Sequence, residues 1–71
     1  MCIVKIFAKN VKEKRISLGL SQEKLALLSD LDRTYIQSIE KGKRNVSLLV
    51  AEKIANAFNI PVEDLIKQAP R

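Results

Sequence analysis

Between Asp32 and Glu40 the chain carries side chains suited to hydrogen-bonding the edges of nucleic-acid bases. On a helical wheel, Arg33, Thr34, Gln37, Ser38 and Lys41 fall within an arc of about 140°. Tyr35, Ile36, Ile39 and Glu40 occupy the opposite side. In a DNA major groove, arginine makes two parallel hydrogen bonds to guanine O6 and N7, and glutamine does the same to adenine N6 and N7. A threonine methyl can pack on the methyl of thymine. Arg33 and Thr34 stand at the N-terminal end of the helix, the end that meets base edges when a helix enters the groove. They are the first candidates for base contact, followed by Gln37 and Ser38. Asp32 reads as the cap of this helix rather than as a base reader. A polar arc alone describes any solvent-facing helix; the flanking residues single this one out.

Those flanking residues suit a phosphate backbone. Gln22 opens the preceding helix, where the positive end of the helix dipole favours an anion. Lys41, Lys43, Arg44 and Asn45 follow the reading helix in a basic loop. Tyr35, on the edge of the arc, either presents its hydroxyl to a phosphate or packs on the core. One further pairing is internal. Arg15 lies on the apolar face of the first helix and Glu40 beside Ile36 on the third, so the two are expected to form a buried or half-buried ion pair.

The elements that must position these residues are helices, and five are expected. The first spans about residues 5–18, with Phe7, Val11 and Leu18 on one face together with Lys14 and Arg15. Ile16 points the other way, and periodicity does not account for it. Ser21 caps the second, with Glu23 in its first turn and Leu25, Ala26 and Leu28 on its buried side. Asp30-Leu31 makes a short turn, and Asp32 caps the third helix, where Ile36 and Ile39 face inward. Ser47 caps the fourth, whose stripe is Leu48, Ala51, Ile54, Ala55 and Phe58. Pro61 separates it from a short fifth at 62–68, with Val62, Leu65 and Ile66 apolar. Gly19 and Gly42 fit the left-handed position just beyond a helix end, and Pro70 closes the chain. No segment alternates long enough to predict a strand. Two helices of about eight residues joined by a tight turn form the core of a helix-turn-helix.

Composition narrows the function. At 71 residues the chain is expected to be one domain, 1–71, with 46% hydrophobic and 30% charged residues as in soluble globular proteins. Residues 1–45 hold 10 Lys/Arg against 5 Asp/Glu, and residues 46–71 hold 3 against 3, so all the net charge of +5 sits in the first two-thirds. A localised basic footprint is what a phosphate backbone attracts. The apolar start, Met1 to Phe7, lacks a basic leader and a small-residue cleavage site and does not read as a signal peptide. No stretch approaches the roughly 18 consecutive apolar residues of a membrane span. The single cysteine, Cys2, makes no internal disulfide and suits a reducing cytoplasm. With no histidine, no metal-spaced cysteines, no glycine-rich phosphate loop and no paired nucleophile and base, neither an enzyme nor a cofactor is expected. A membrane-surface helix fits poorly, because the charges belong to a pattern of capped helices rather than one long amphipathic face.

The run Lys14-Arg15-Ile16-Ser17-Leu18-Gly19-Leu20-Ser21-Gln22-Glu23-Lys24-Leu25-Ala26 resembles the opening of the phage repressor and Cro (XRE) type of helix-turn-helix. The resemblance continues over Ile36, Glu40, Gly42 and Lys53-Ile54-Ala55-Asn56-Ala57-Phe58, about residues 11–66 in all. It implies a compact five-helix, all-α, lambda-repressor-like fold with the motif on helices 2 and 3. It also implies that Gln22 contacts phosphate and that Arg15 and Glu40 pair beneath the motif. Leu31-Asp32-Arg33-Thr34-Tyr35-Ile36, Ile39-Glu40 and Arg44-Asn45 are similar to the controller proteins of restriction-modification systems. That narrower resemblance implies DNA contact by Arg33, Thr34, Tyr35, Arg44 and Asn45. It further implies a homodimer on a pseudo-palindromic site upstream of its own gene, and contact with RNA polymerase if the chain activates. Lys14 stands where a leucine is common in these proteins, and Val46 where a proline is common.

The expected function is therefore a cytoplasmic, sequence-specific transcriptional regulator of double-stranded DNA. The expected dimer surface is Leu49, Val50, Ile60, Val62, Leu65 and Ile66, more apolar residues than one small core needs. The alternatives are a phage- or plasmid-type repressor and an antitoxin-like regulator whose main partner is a protein. Little chain past residue 68 remains to wrap a toxin.

Overall fold

The computed structural model describes residues 2–68; Pro70 lies outside them. Four α-helices run in chain order as α1 (Ile3–Ser17), α2 (Gln22–Ser29), α3 (Arg33–Glu40) and α4 (Leu48–Phe58). The fifth element is a single 3-10 turn, Val62–Leu65, rather than a helix to residue 68. No strand occurs among the described residues. The protein is all-α, with the motif on α2 and α3.

Each start and stop has a local cause. The Ser21 hydroxyl accepts from the backbone N–H of Lys24 (3.0 Å), and Ser47 accepts from that of Val50 (3.1 Å). Asp32 has the extended backbone of a cap, but its carboxylate takes no capping hydrogen bond; its carbonyl accepts from the N–H of Ile36 instead. The four α-helices end alike. A left-handed residue (Gly19, Asp30, Gly42, Asn59) follows the last turn. The next N–H then reaches back five residues: Leu20 to Arg15, Leu31 to Ala26, Lys43 to Ser38 and Ile60 to Ala55. Gly42 has φ +74°, yet a Cβ there would meet only ordinary contacts on Lys5 and Ala8. Its requirement is therefore conformational and not steric.

The core is one cluster drawn from every element. Phe7 and Val11 of α1 meet Leu25 and Ala26 of α2, Ile36 and Ile39 of α3, Ala51, Ile54, Ala55 and Phe58 of α4, and Leu65 of the 3-10 turn. Four expectations change. Leu65, placed at the dimer surface, is 1% exposed and belongs to the core, because the 3-10 turn packs on both α1 and α4. Leu28 is 48% exposed; the buried third side chain of α2 is Ser29, whose hydroxyl donates to the Leu25 carbonyl at 2.7 Å. Leu48, 88% exposed, stands at the first turn of α4, outside the stripe that starts at Ala51. Leu18 is exposed because α1 ends at Ser17 and the chain turns away there.

A side chain not singled out in the sequence ties the two ends of the fold together. The half-buried Asn10 amide donates to the carbonyls of Leu65 (3.0 Å) and Lys67 (2.8 Å). Replacing it leaves the Leu65 carbonyl short of a partner in a partly buried place. Asn10→Ala is expected to lower unfolding free energy by about 1–2 kcal/mol, read from the urea midpoint. An unchanged midpoint would show that the tether contributes nothing.

Candidate nucleic-acid interface

The face begins with what holds it. Arg15, near the end of α1, points into the junction of three elements. Its Nε donates to Glu40 Oε2 at 2.7 Å and its Nη2 to Glu40 Oε1 at 3.1 Å, a bidentate pair. Its Nη1 donates to the Leu20 carbonyl in the turn before α2, at 2.8 Å. The side chains are 12% and 3% exposed, so water competes little for them. Gln22, the first residue of α2, donates its amide to Glu40 Oε1 at 3.1 Å. The last residue of α3 is thus fixed to both α1 and the start of α2.

With that end fixed, α3 divides into two sides. Ile36 and Ile39 are fully buried. Arg33, Thr34 and Lys41 are exposed, and Gln37 and Ser38 are half-buried. The Ser38 hydroxyl donates to the Tyr35 carbonyl at 3.1 Å, so its donor is occupied within the helix. Beyond Gly42 the loop residues Lys43, Arg44 and Asn45 are all exposed. Among the described residues, none of Arg33, Lys41, Lys43 and Arg44 joins a salt bridge. This is a run of donors and cations with no internal partner of opposite charge, able to meet base edges and phosphates together.

Sequence reasoning left two contacts here unread. It gave Gln22 a phosphate, whereas in the free chain one of its amide hydrogens is engaged by Glu40. A second amide hydrogen is available to an anion at the start of α2. It left Tyr35 between a phosphate and the core; the residue packs against the core while the Arg44 guanidinium lies over its ring, 4.9 Å from the centroid. A bond between side chains nine residues apart across a loop leaves no periodic signal. Asn10, an amide beside the apolar face of the first helix, was the one missed contact with a visible hint.

No group of three or more potential metal-ligating side chains occurs among the described residues. None of their helices is long and apolar enough to cross a membrane.

Residues 11–65 match the family model described as helix-turn-helix. The chain is 48% identical over 62 residues to the control protein C.BamHI of Bacillus amyloliquefaciens, covering 86% of this chain and 76% of that protein. It is 46% identical over 66 residues to the control protein C.SmaI of Serratia marcescens, covering 93% and 79%. Among solved structures it is similar to the restriction-modification controller protein C.AhdI from Aeromonas hydrophila. There the TM-score is 0.84 at 45% identity, over 87% of this chain and 94% of that one.

The ion pair makes a sharp energetic prediction. Glu40→Ala strands a buried guanidinium and should cost about 3–5 kcal/mol. The double change Arg15→Met with Glu40→Leu removes both charges and should regain most of that loss. Chemical denaturation of the two variants checks the difference; equal losses would place the energy in packing rather than in the uncompensated charge.

Proposed function

The chain belongs to the helix-turn-helix family, and from that premise we propose that it is a homodimeric controller of a restriction-modification operon that regulates its own transcription. It is a DNA-binding transcriptional regulator and not an enzyme.

The observation that carries the mechanism is the division of α3. One side anchors the helix through Ile36, Ile39 and Glu40, and the other offers Arg33 and Thr34 at its N-terminal end with no role in the fold. In the proposed complex α3 enters the major groove. Arg33 and Thr34 read base edges, with Gln37 and Ser38 deeper along the helix. Gln22 takes a phosphate at the start of α2, and Tyr35, Lys41, Lys43, Arg44 and Asn45 meet the backbone beyond the helix. The salt-sensitive affinity comes from the cations and the sequence preference from the base contacts.

The proposed dimer surface is the exposed Leu49, Val62 and Ile66, flanked by the half-buried Val50 and Ile60. These lie on α4 and on the chain from its end through the 3-10 turn, elements already in contact. A two-fold axis through this surface would set two reading helices about one DNA turn apart, ~34 Å, on a pseudo-palindrome. The regulator works in the cytoplasm and touches RNA polymerase where it activates.

The first test is titration of DNA from just upstream of the protein's own gene, against salt and random competitor. Tight binding centred on a two-fold symmetric site supports the autoregulator. Equal, weak binding to both DNAs overturns it in favour of a protein partner. Arg33→Ala should weaken the specific site by about 1–3 kcal/mol and relax preference at one base position. Lys43→Ala should weaken all duplexes alike and lower the salt slope by about 1. For the dimer, Leu49→Glu or Ile66→Glu should give a monomer in sedimentation that retains its helical content. A dimer unaffected by both would move the interface elsewhere.

A further inference from the structure

Three of the four helix ends share a second device besides the left-handed residue. The residue that closes them, Leu20, Leu31 or Ile60, is apolar and packs against the core, pinning the chain that follows. At the end of α3 this position is Lys43, which is exposed. The loop from 43 to 47 therefore leaves α3 without that pin at its closing residue, and its apolar contact with the core comes only at Val46. Ahead of Val46 the loop lays Arg44 on α3, its guanidinium 4.9 Å from the centroid of the Tyr35 ring. Tyr35 is itself fixed from below, half-buried and packed against the core through α3. Arg44 has no carboxylate partner among the described residues, so the ring is the group that orders it.

We propose that Tyr35 is a positioning residue for DNA binding. Its ring is a platform that holds the Arg44 guanidinium beside the reading helix, ready for the DNA backbone. The inference rests on the DNA-binding reading and adds a role for the aromatic ring to the contact considered for its hydroxyl. The physical reason is entropic. An exposed arginine side chain loses rotamer freedom when it meets a phosphate, whereas one already stacked on a ring has lost part of that freedom in the free protein. The face of an aromatic ring attracts the guanidinium without neutralising its charge, so the cation stays available to an anion.

The platform makes the contributions of Tyr35 and Arg44 interdependent. The experiment is a double-substitution cycle of Tyr35→Leu and Arg44→Gln, with Tyr35→Phe as the conservative variant. Binding is measured on the upstream duplex and on a random-sequence duplex of equal length at low salt. Circular dichroism melting establishes that each variant is folded; leucine keeps apolar bulk on the core side. The expected result is that Arg44→Gln weakens binding in the parent and by about two- to fivefold less in the Tyr35→Leu background. In the Tyr35→Phe background, which keeps the ring, Arg44→Gln should weaken binding by as much as it does in the parent. In NMR spectra of the free protein, the Arg44 side-chain protons should be shifted upfield by the ring, and the shift should persist in Tyr35→Phe and vanish in Tyr35→Leu.

Three outcomes overturn the proposal. Losses that combine independently would mean that the ring does not position Arg44. A loss in Tyr35→Phe equal to that in Tyr35→Leu would assign the effect to the hydroxyl. A parent protein that retains neither duplex would remove the DNA-binding reading itself, an outcome distinct from the other two, in which the parent binds.

Discussion

The fold turns on one buried carboxylate. Glu40 receives two hydrogen bonds from Arg15 and one from Gln22, while Arg15 gives its remaining contact to the Leu20 carbonyl. These bonds connect the end of α1, the turn after it, the start of α2 and the end of α3. A buried pair of this kind is seldom more stabilising than apolar side chains of the same shape. Its value lies in geometry, because a planar guanidinium and a carboxylate meet well in only a narrow set of orientations. Apolar packing of Ile36 and Ile39 holds α3 to the core; the pair sets where along its length, and at what rotation, the helix rests.

Size explains why such a fixing point matters. A chain of 71 residues buries a modest core, and its apolar side chains are mostly aliphatic, with two phenylalanines and one tyrosine. Aliphatic packing tolerates rearrangement more readily than it specifies one arrangement. The directional contacts are few and lie at the joints: the Arg15–Glu40–Gln22 group at one, the two hydrogen bonds from Asn10 to the C-terminal segment at another, and the serine caps at the starts of α2 and α4. Between joints the helices need only be apolar on the correct side.

This division also accounts for what was legible in the sequence. The order of the four α-helices, the serine caps and the left-handed glycines are local properties and were read from spacing, whereas the fifth expected helix is only a 3-10 turn. The Arg15–Glu40 pair was legible as two opposite charges on inward helix faces, and the resemblance to phage repressors names the same partners. What escaped was set by tertiary geometry. Leu65 looks like surplus apolar surface until the 3-10 turn is seen packed between α1 and α4. Leu28 has the right residue type but the wrong angle, Leu48 stands one turn ahead of the part of α4 that meets the core, and Ser29 is buried with its hydroxyl satisfied on the helix. Asp32 stands where a cap belongs without making the capping bond. On the interface, residue types pointed to the exposed side of α3, but not to Gln22 held by Glu40 or Arg44 laid on Tyr35, since both contacts cross between elements.

The separation of duties on α3 has a consequence for how such a protein can change. Arg33 and Thr34 carry no hydrogen bond or ion pair through their side chains to the rest of the described chain, whereas Ile36, Ile39 and Glu40 carry the attachment. The letters that would spell out a target are thus written on a surface that the folding of the chain does not consult. New preferences can be acquired there one side chain at a time, each variant remaining a folded protein, so a duplicated gene could drift toward a different operator without first passing through an unstable intermediate.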